Sequence, residues 1–242
     1  MRLLPIFLLL VTAVFSARPH DPWVSQVSIK ERTRQLYVAL HSDLWIMYDL
    51  PYCVFYLAWK GGADGGTLTN ADYIKSDFKA TPHTSTQFNP GGTTYFKQDN
   101  IDQYYPSGAV AKEIPNYYSS WSNYPTNYRA WKVKNGTQAV EVKLKYKGYF
   151  TKVNGQQAFK LKFSLVLPDN REIEITEEPE YVSGTGVGLS RKITIAGIPS
   201  GYSVMLHTKG GTGTWTATGV GSITGDDMTQ TSDGVTTLSA TW

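Results

Sequence analysis

Between Ala139 and Tyr181 the chain alternates apolar and charged residues in three successive runs, with turn-forming residues between them. Val140, Val142, Leu144 and Tyr146 alternate with Glu141, Lys143, Lys145 and Lys147. Phe159, Leu161, Phe163, Leu165 and Leu167 alternate with Lys160, Lys162 and Ser164, and Ile173 and Ile175 with Glu172, Glu174 and Thr176. Successive side chains of a strand point to opposite faces, so each run has one apolar and one charged face. Asn154-Gly155 supplies the positive-φ pair of a tight hairpin, and Pro168-Asp169-Asn170 a second turn. The pattern predicts a three-stranded antiparallel meander with Val142 and Phe163 facing the core. Its charged face reads as a solvated outer surface, where lysines lie beside Glu172 and Glu174. Such cross-strand pairs contribute about 0.2–1 kcal/mol each.

The rest of the chain has the same character. Strands are expected at 35–40, 44–49 and 52–60, the last stopped by Gly61-Gly62, and again at 189–195, 202–207, 215–218, 221–224 and 236–242. With no long helical period, the fold class is all-β: an antiparallel β-sandwich, with a large galactose-mutarotase-like sandwich among the candidate architectures. Residues 17–242 form a single domain. Order is weak from Ala63 to Arg129, and the tract 104–131 is crowded with Tyr and Trp and interrupted by Pro106, Pro115 and Pro125. Each proline removes a backbone donor that an interior strand needs. The tract is therefore expected as an aromatic-rich loop across one end or face of the sandwich, with Trp131 as its buried anchor. Tyr117, Tyr118, Trp121 and Tyr124 are the candidate ligand-binding residues, because aromatic faces stack on sugar rings at low entropic cost.

Residues 1–16 read as a secretory signal peptide: Arg2, a short apolar run to Phe15, and Val14 and Ser16 at the selective positions before the cut. The run is too short to span a bilayer. Cys53 is the lone cysteine and sits in an apolar run, so it is expected to be buried and inert. Asn135-Gly136-Thr137 is an N-glycosylation sequon expected on a surface turn. A net charge of +3, from 23 basic and 20 acidic residues, is too balanced to argue for nucleic acid or an anionic membrane.

Chemistry-bearing residues are few. Glu177-Glu178-Pro179-Glu180 offers carboxylates for acid–base work or calcium, set against the ordinary reading of a solvated strand end. His20, His41, His83 and His207 have no metal-ligand spacing, and His41-Ser42-Asp43 reads as a turn instead of a triad, since triads are assembled in space. No metal or cofactor is expected. The expected function is a secreted, non-catalytic binding module for carbohydrate or extracellular matrix. The alternatives are a sugar-active enzyme of the mutarotase-like sandwich type, with Glu178 or Glu180 as base and a histidine as acid, and a structural protein self-assembling through tyrosine-rich loops.

Several fragments carry a resemblance: RPHDPW (18–23), LHSDLWIMYD (40–49), YLAWKGG (56–62), YKGYF (146–150), EEPEY (177–181) and LSRKITIAGIPSG (189–201). Together they resemble a β-rich module of secreted bacterial proteins, one fused there to c-type cytochrome, trehalose-utilisation-type or sugar-dehydrogenase modules. The resemblance covers roughly 18–62 and 131–206 and implies secretion and a β-sandwich. The chain has no CxxCH, so the haem chemistry of the neighbouring modules is not implied.

Overall fold

The computed structural model describes residues 23–29, 32–41, 43–60, 93–98, 130–153 and 156–242. All strand pairing among them is antiparallel, and the architecture is an open β-sandwich built from three sheets.

The predicted meander is the centre of a six-stranded sheet. Strands β8 (Lys143–Val153), β9 (Gln156–Val166) and β10 (Glu172–Ser183) continue into β11 (Val187–Ala196). The sheet is completed by β16 (Gly234–Thr241) and β13 (Thr216–Gly219), in the order β13-β16-β11-β10-β9-β8. Phe159, Leu161, Phe163 and Leu165 of β9, with Leu167 just beyond it, are all buried, as are Ile173 and Ile175. Their common face is the core face. Val153 pairs with Gln156 across the first turn; Asn154-Gly155 itself lies outside the described residues. At the second turn Asn170 takes φ +68° and donates its N–H to Leu167 O at 2.9 Å. Asn tolerates that left-handed conformation.

One expectation is corrected. Residues 139–147 do not form a single strand. Gln138–Val140 is a short strand, β7, of a different sheet, and the chain changes sheets at Glu141-Val142 before β8 begins at Lys143. Val142 is 3 % exposed at this corner. The alternation runs unbroken through it because the corner residue, like the strands on either side, turns its apolar side chain inward.

The first sheet runs β1 (Trp23–Ile29), β2 (Arg32–His41), β3 (Leu44–Asp49), β4 (Val54–Trp59), β5 (Thr94–Lys97) in spatial order. Every residue of β3 and β4 is buried, which accounts for their continuous apolar sequence. This sheet packs on the core face of the six-stranded one: Tyr48 of β3 stacks on Phe159 of β9 with ring centroids 5.5 Å apart.

The third sheet has the order β14 (Ser222–Thr224), β15 (Asp227–Gln230), β12 (Tyr202–His207), β6 (Trp131–Asn135), β7. Trp131 joins the layers. It is 1 % exposed, meets Phe163 edge-on at 5.4 Å, and donates its indole N–H to the Cys53 carbonyl at 3.0 Å. Trp131 is thus buried, as expected; the rest of the tract 104–131, expected as an aromatic-rich loop, lies outside the described residues up to residue 129.

Candidate functional site

The carboxylates at 177–180 lie within β10, and strand alternation sorts them onto opposite faces. Glu177 falls on the core face, in the row of Ile173 and Ile175, and is fully buried. Arg191 of β11, itself 1 % exposed, meets it in a fork: Nε to Oε1 at 2.7 Å and Nη2 to Oε2 at 3.1 Å. Tyr48, from the facing sheet, donates its hydroxyl to the same Oε1 at 2.7 Å. Burial, and next the Glu177 carboxylate, hold the Tyr48 phenol well above its ordinary range. The guanidinium lies over Phe55 at 4.5 Å and Trp215 at 5.3 Å. This ion pair is enclosed by aromatic rings, and Tyr48 ties it to the facing sheet. It is a structural element, and its two carboxylate oxygens are already occupied.

Glu178 and Glu180 point to the opposite, outer face. Glu178 lies 3.3 Å from Lys160 and 3.8 Å from Lys192; Glu180 is exposed. Nearer the sheet's edge, Lys145 reaches Glu172 at 2.7 Å, and Lys147 reaches Glu172 at 2.8 Å and Glu174 at 2.7 Å. These pairs cross over β9, where the small Ser164 lies between them in register with both Lys145 and Glu174. Hydrogen bonds from Lys145 and Lys147 hold the Glu172 carboxyl down at about 2. The lysine–glutamate face anticipated from the alternation is therefore present.

Neither described histidine joins these carboxylates. His41 stacks on Tyr181 with centroids 3.9 Å apart. His207 faces Asp227 in the third sheet, Nδ1 to Oδ1 at 3.0 Å. Among the described residues no group of three or more potential metal ligands comes together. Cys53 is buried, as expected, and burial pushes its thiol far above the ordinary range. Its left-handed backbone (φ +46°) closes the short 3-10 turn Leu50–Tyr52 by donating its N–H to Leu50 O at 3.0 Å.

Tyr117, Tyr118, Trp121 and Tyr124 lie outside the described residues, as do residues 1–16. Asn135 is exposed at the end of β6, where it pairs with Gln138 around the two-residue turn Gly136-Thr137.

An aromatic surface that the alternation did not single out lies on β8, the edge strand of the large sheet. Tyr146 and Tyr149 are each 40 % exposed and Phe150 is 47 % exposed. Tyr146 pairs with Phe163 and Tyr149 with Leu161, so both tyrosines lie on the core-face side, three residues apart. That spacing breaks the two-residue period. A bulge between Tyr146 and Gly148 shifts the register, with Gly148 at φ +125°, a conformation open to glycine and costly for other residues. Beyond the bulge Phe150 falls on the lysine side, where Lys162 lies 5.7 Å above its ring. Tyr149 stacks on the buried Phe159 at 6.1 Å, and burial first raises the Tyr146 phenol to about 12. The Tyr149 ring is thus backed by the core. A glycine within an alternating run was the available sequence signal for the bulge.

No protein-family model matches the chain, and comparison with curated proteins and with solved structures finds no match.

Proposed function

We propose that the protein is a secreted, non-catalytic binding module for carbohydrate or an extracellular matrix component. The observation that carries this is the aromatic edge of β8, where Tyr146, Tyr149 and Phe150 stay exposed on a scaffold that buries most of its other described rings. Rings fixed to a sheet edge offer flat CH-stacking surfaces with little left to order on binding. The engagement of Glu177 and Glu178 supports a binding role over catalysis. Glu177 is committed to Arg191 and Tyr48, and Glu178 lies between two lysines. The aromatic set Tyr117, Tyr118, Trp121 and Tyr124 extends the same chemistry. Signal removal after Ser16 and a glycan on Asn135 belong to the same extracellular role.

Glycan-array and polysaccharide pull-down binding by the mature chain tests it, repeated with Tyr146→Ala/Tyr149→Ala and with Tyr118→Ala/Trp121→Ala. Binding that weakens in either variant supports the proposal and assigns the surface. No binding of the parent to any glycan or matrix preparation sinks it.

A further inference from the structure

We infer that the ligand of the β8 edge is a polyanionic polysaccharide, bound along the edge with its rings on Tyr146 and Tyr149 and its acidic groups on Lys143 and Lys162. This rests on the binding-module function proposed above and names the class of glycan. On the outer face beside the edge, the described side chains comprise six lysines (Lys143, Lys145, Lys147, Lys160, Lys162 and Lys192) and four glutamates (Glu172, Glu174, Glu178 and Glu180). The excess is not spread evenly. Lys145, Lys147, Lys160 and Lys192 each reach a carboxylate within 4 Å. Among the described residues Lys143 and Lys162 reach none within that distance; Lys143 is exposed, and Lys162 lies over the Phe150 ring.

The register sets the spacing of these two cations. Lys143 pairs with Val166 and Lys162 is four residues back along β9, so they stand about 13 Å apart along the strand at the usual rise. Tyr146, paired with Phe163, falls between their levels, and Tyr149, paired with Leu161, lies just beyond Lys162. A chain laid along the edge is flanked by the two rings on the core-face side and by the two cations on the outer side.

The same features disfavour the other occupants of an edge strand. A second copy pairing β8 against β8 would bring two lysine rows alongside each other, and like charges facing one another across strands are destabilising. Lysines and bulges are also the devices that keep edges from accepting a foreign strand, and β8 has four lysines and two register shifts. Excess positive charge combined with exposed rings therefore favours an anionic sugar polymer over an added peptide strand.

The test compares heparin, hyaluronan and neutral dextran as probes of the full mature chain, by calorimetry at 50 and 300 mM NaCl. Binding to heparin or hyaluronan, weakened by salt and reduced about tenfold by Lys143→Glu/Lys162→Glu, is the expected result, since exposed ion pairs are individually weak and screened. Heparin alone would place sulfate on the lysines; both would show that carboxylate suffices. Lys134→Glu/Lys192→Glu, which changes the net charge by the same amount away from the edge, controls for net charge and should retain most of the affinity. Binding to dextran that is indifferent to salt and to both lysines overturns the anionic assignment and leaves the binding function standing. Failure of all three probes overturns the assignment as well, while other glycans on the array still test the broader function.

Discussion

Removing Arg191, one of the largest fully buried side chains, should destabilise the sandwich strongly. In Arg191→Met the aliphatic stem can still fill space against Phe55 and Trp215, but Glu177 loses both guanidinium contacts and keeps Tyr48 as its only remaining partner among those described. Uncovering one member of a buried ion pair costs about 3–5 kcal/mol. For a domain of this size about 1 kcal/mol moves the melting midpoint by about 2–4 °C, so the shift should be about 6–20 °C. The paired variant Glu177→Leu/Arg191→Met removes both charges together, and exchanging a buried pair for apolar residues is neutral or stabilising in other proteins. It should recover most of the loss. Chemical denaturation at neutral pH, with both single variants and the double, gives the coupling directly. The reasoning is refuted if Arg191→Met unfolds within about 1 kcal/mol of the parent, or if the double variant is as unstable as the sum of the singles.

Three further outcomes can be checked on the same samples. Phe163→Ala should cost about 3–5 kcal/mol, because the ring is fully buried against Trp131; an unchanged denaturation midpoint would show the register is one residue out. Cys53 should resist a thiol-specific reagent in the folded protein and react once denaturant exposes it, because its thiol is buried and held in the neutral form. Glu172 is depressed from its ordinary 4.5 to about 2 by Lys145 and Lys147. Its contribution is therefore fully present above about pH 4.5 and lost as the pH falls through about 2; Glu172→Gln should flatten the acid limb of the stability profile in that window, and an unaltered limb would count against the pairing.

The meander was legible because its period is local: Phe159 to Leu167 and Ile173 to Ile175 each turn inward as their alternation requires. The same period placed Glu177 on the core face, but a charge there becomes intelligible only with Arg191 and Tyr48, which come from other strands. Strand β5 was hidden because Thr94–Lys97 is short and half exposed, and only its pairing with β4 defines it. The sheet change at Glu141-Val142 leaves no trace in a pattern that records inward and outward but not which sheet. Tyr149 and Phe150 were visible as residues. Their exposure depends on β8 being an edge, a property of topology that no local window contains.

That sheet change also bears on the order in which the protein can assemble. Strands β8 to β11 are joined by short turns and pair with their immediate sequence neighbours, whereas β6 finds its main partner only in β12, with Trp131 against Leu206 and Asn135 against Tyr202. Closing large loops slows folding. Pulse-labelled amide exchange should therefore show protection in β8–β11 before β6 and β12, and simultaneous protection would contradict it. Until β12 arrives, Trp131 and Val133 have no sheet to complete except the small hairpin with β7. An emerging chain would thus carry a finished meander with Trp131 and Val133 still waiting upstream, and a chaperone acting on this protein would be expected to engage the segment before Glu141 more than the segment after it.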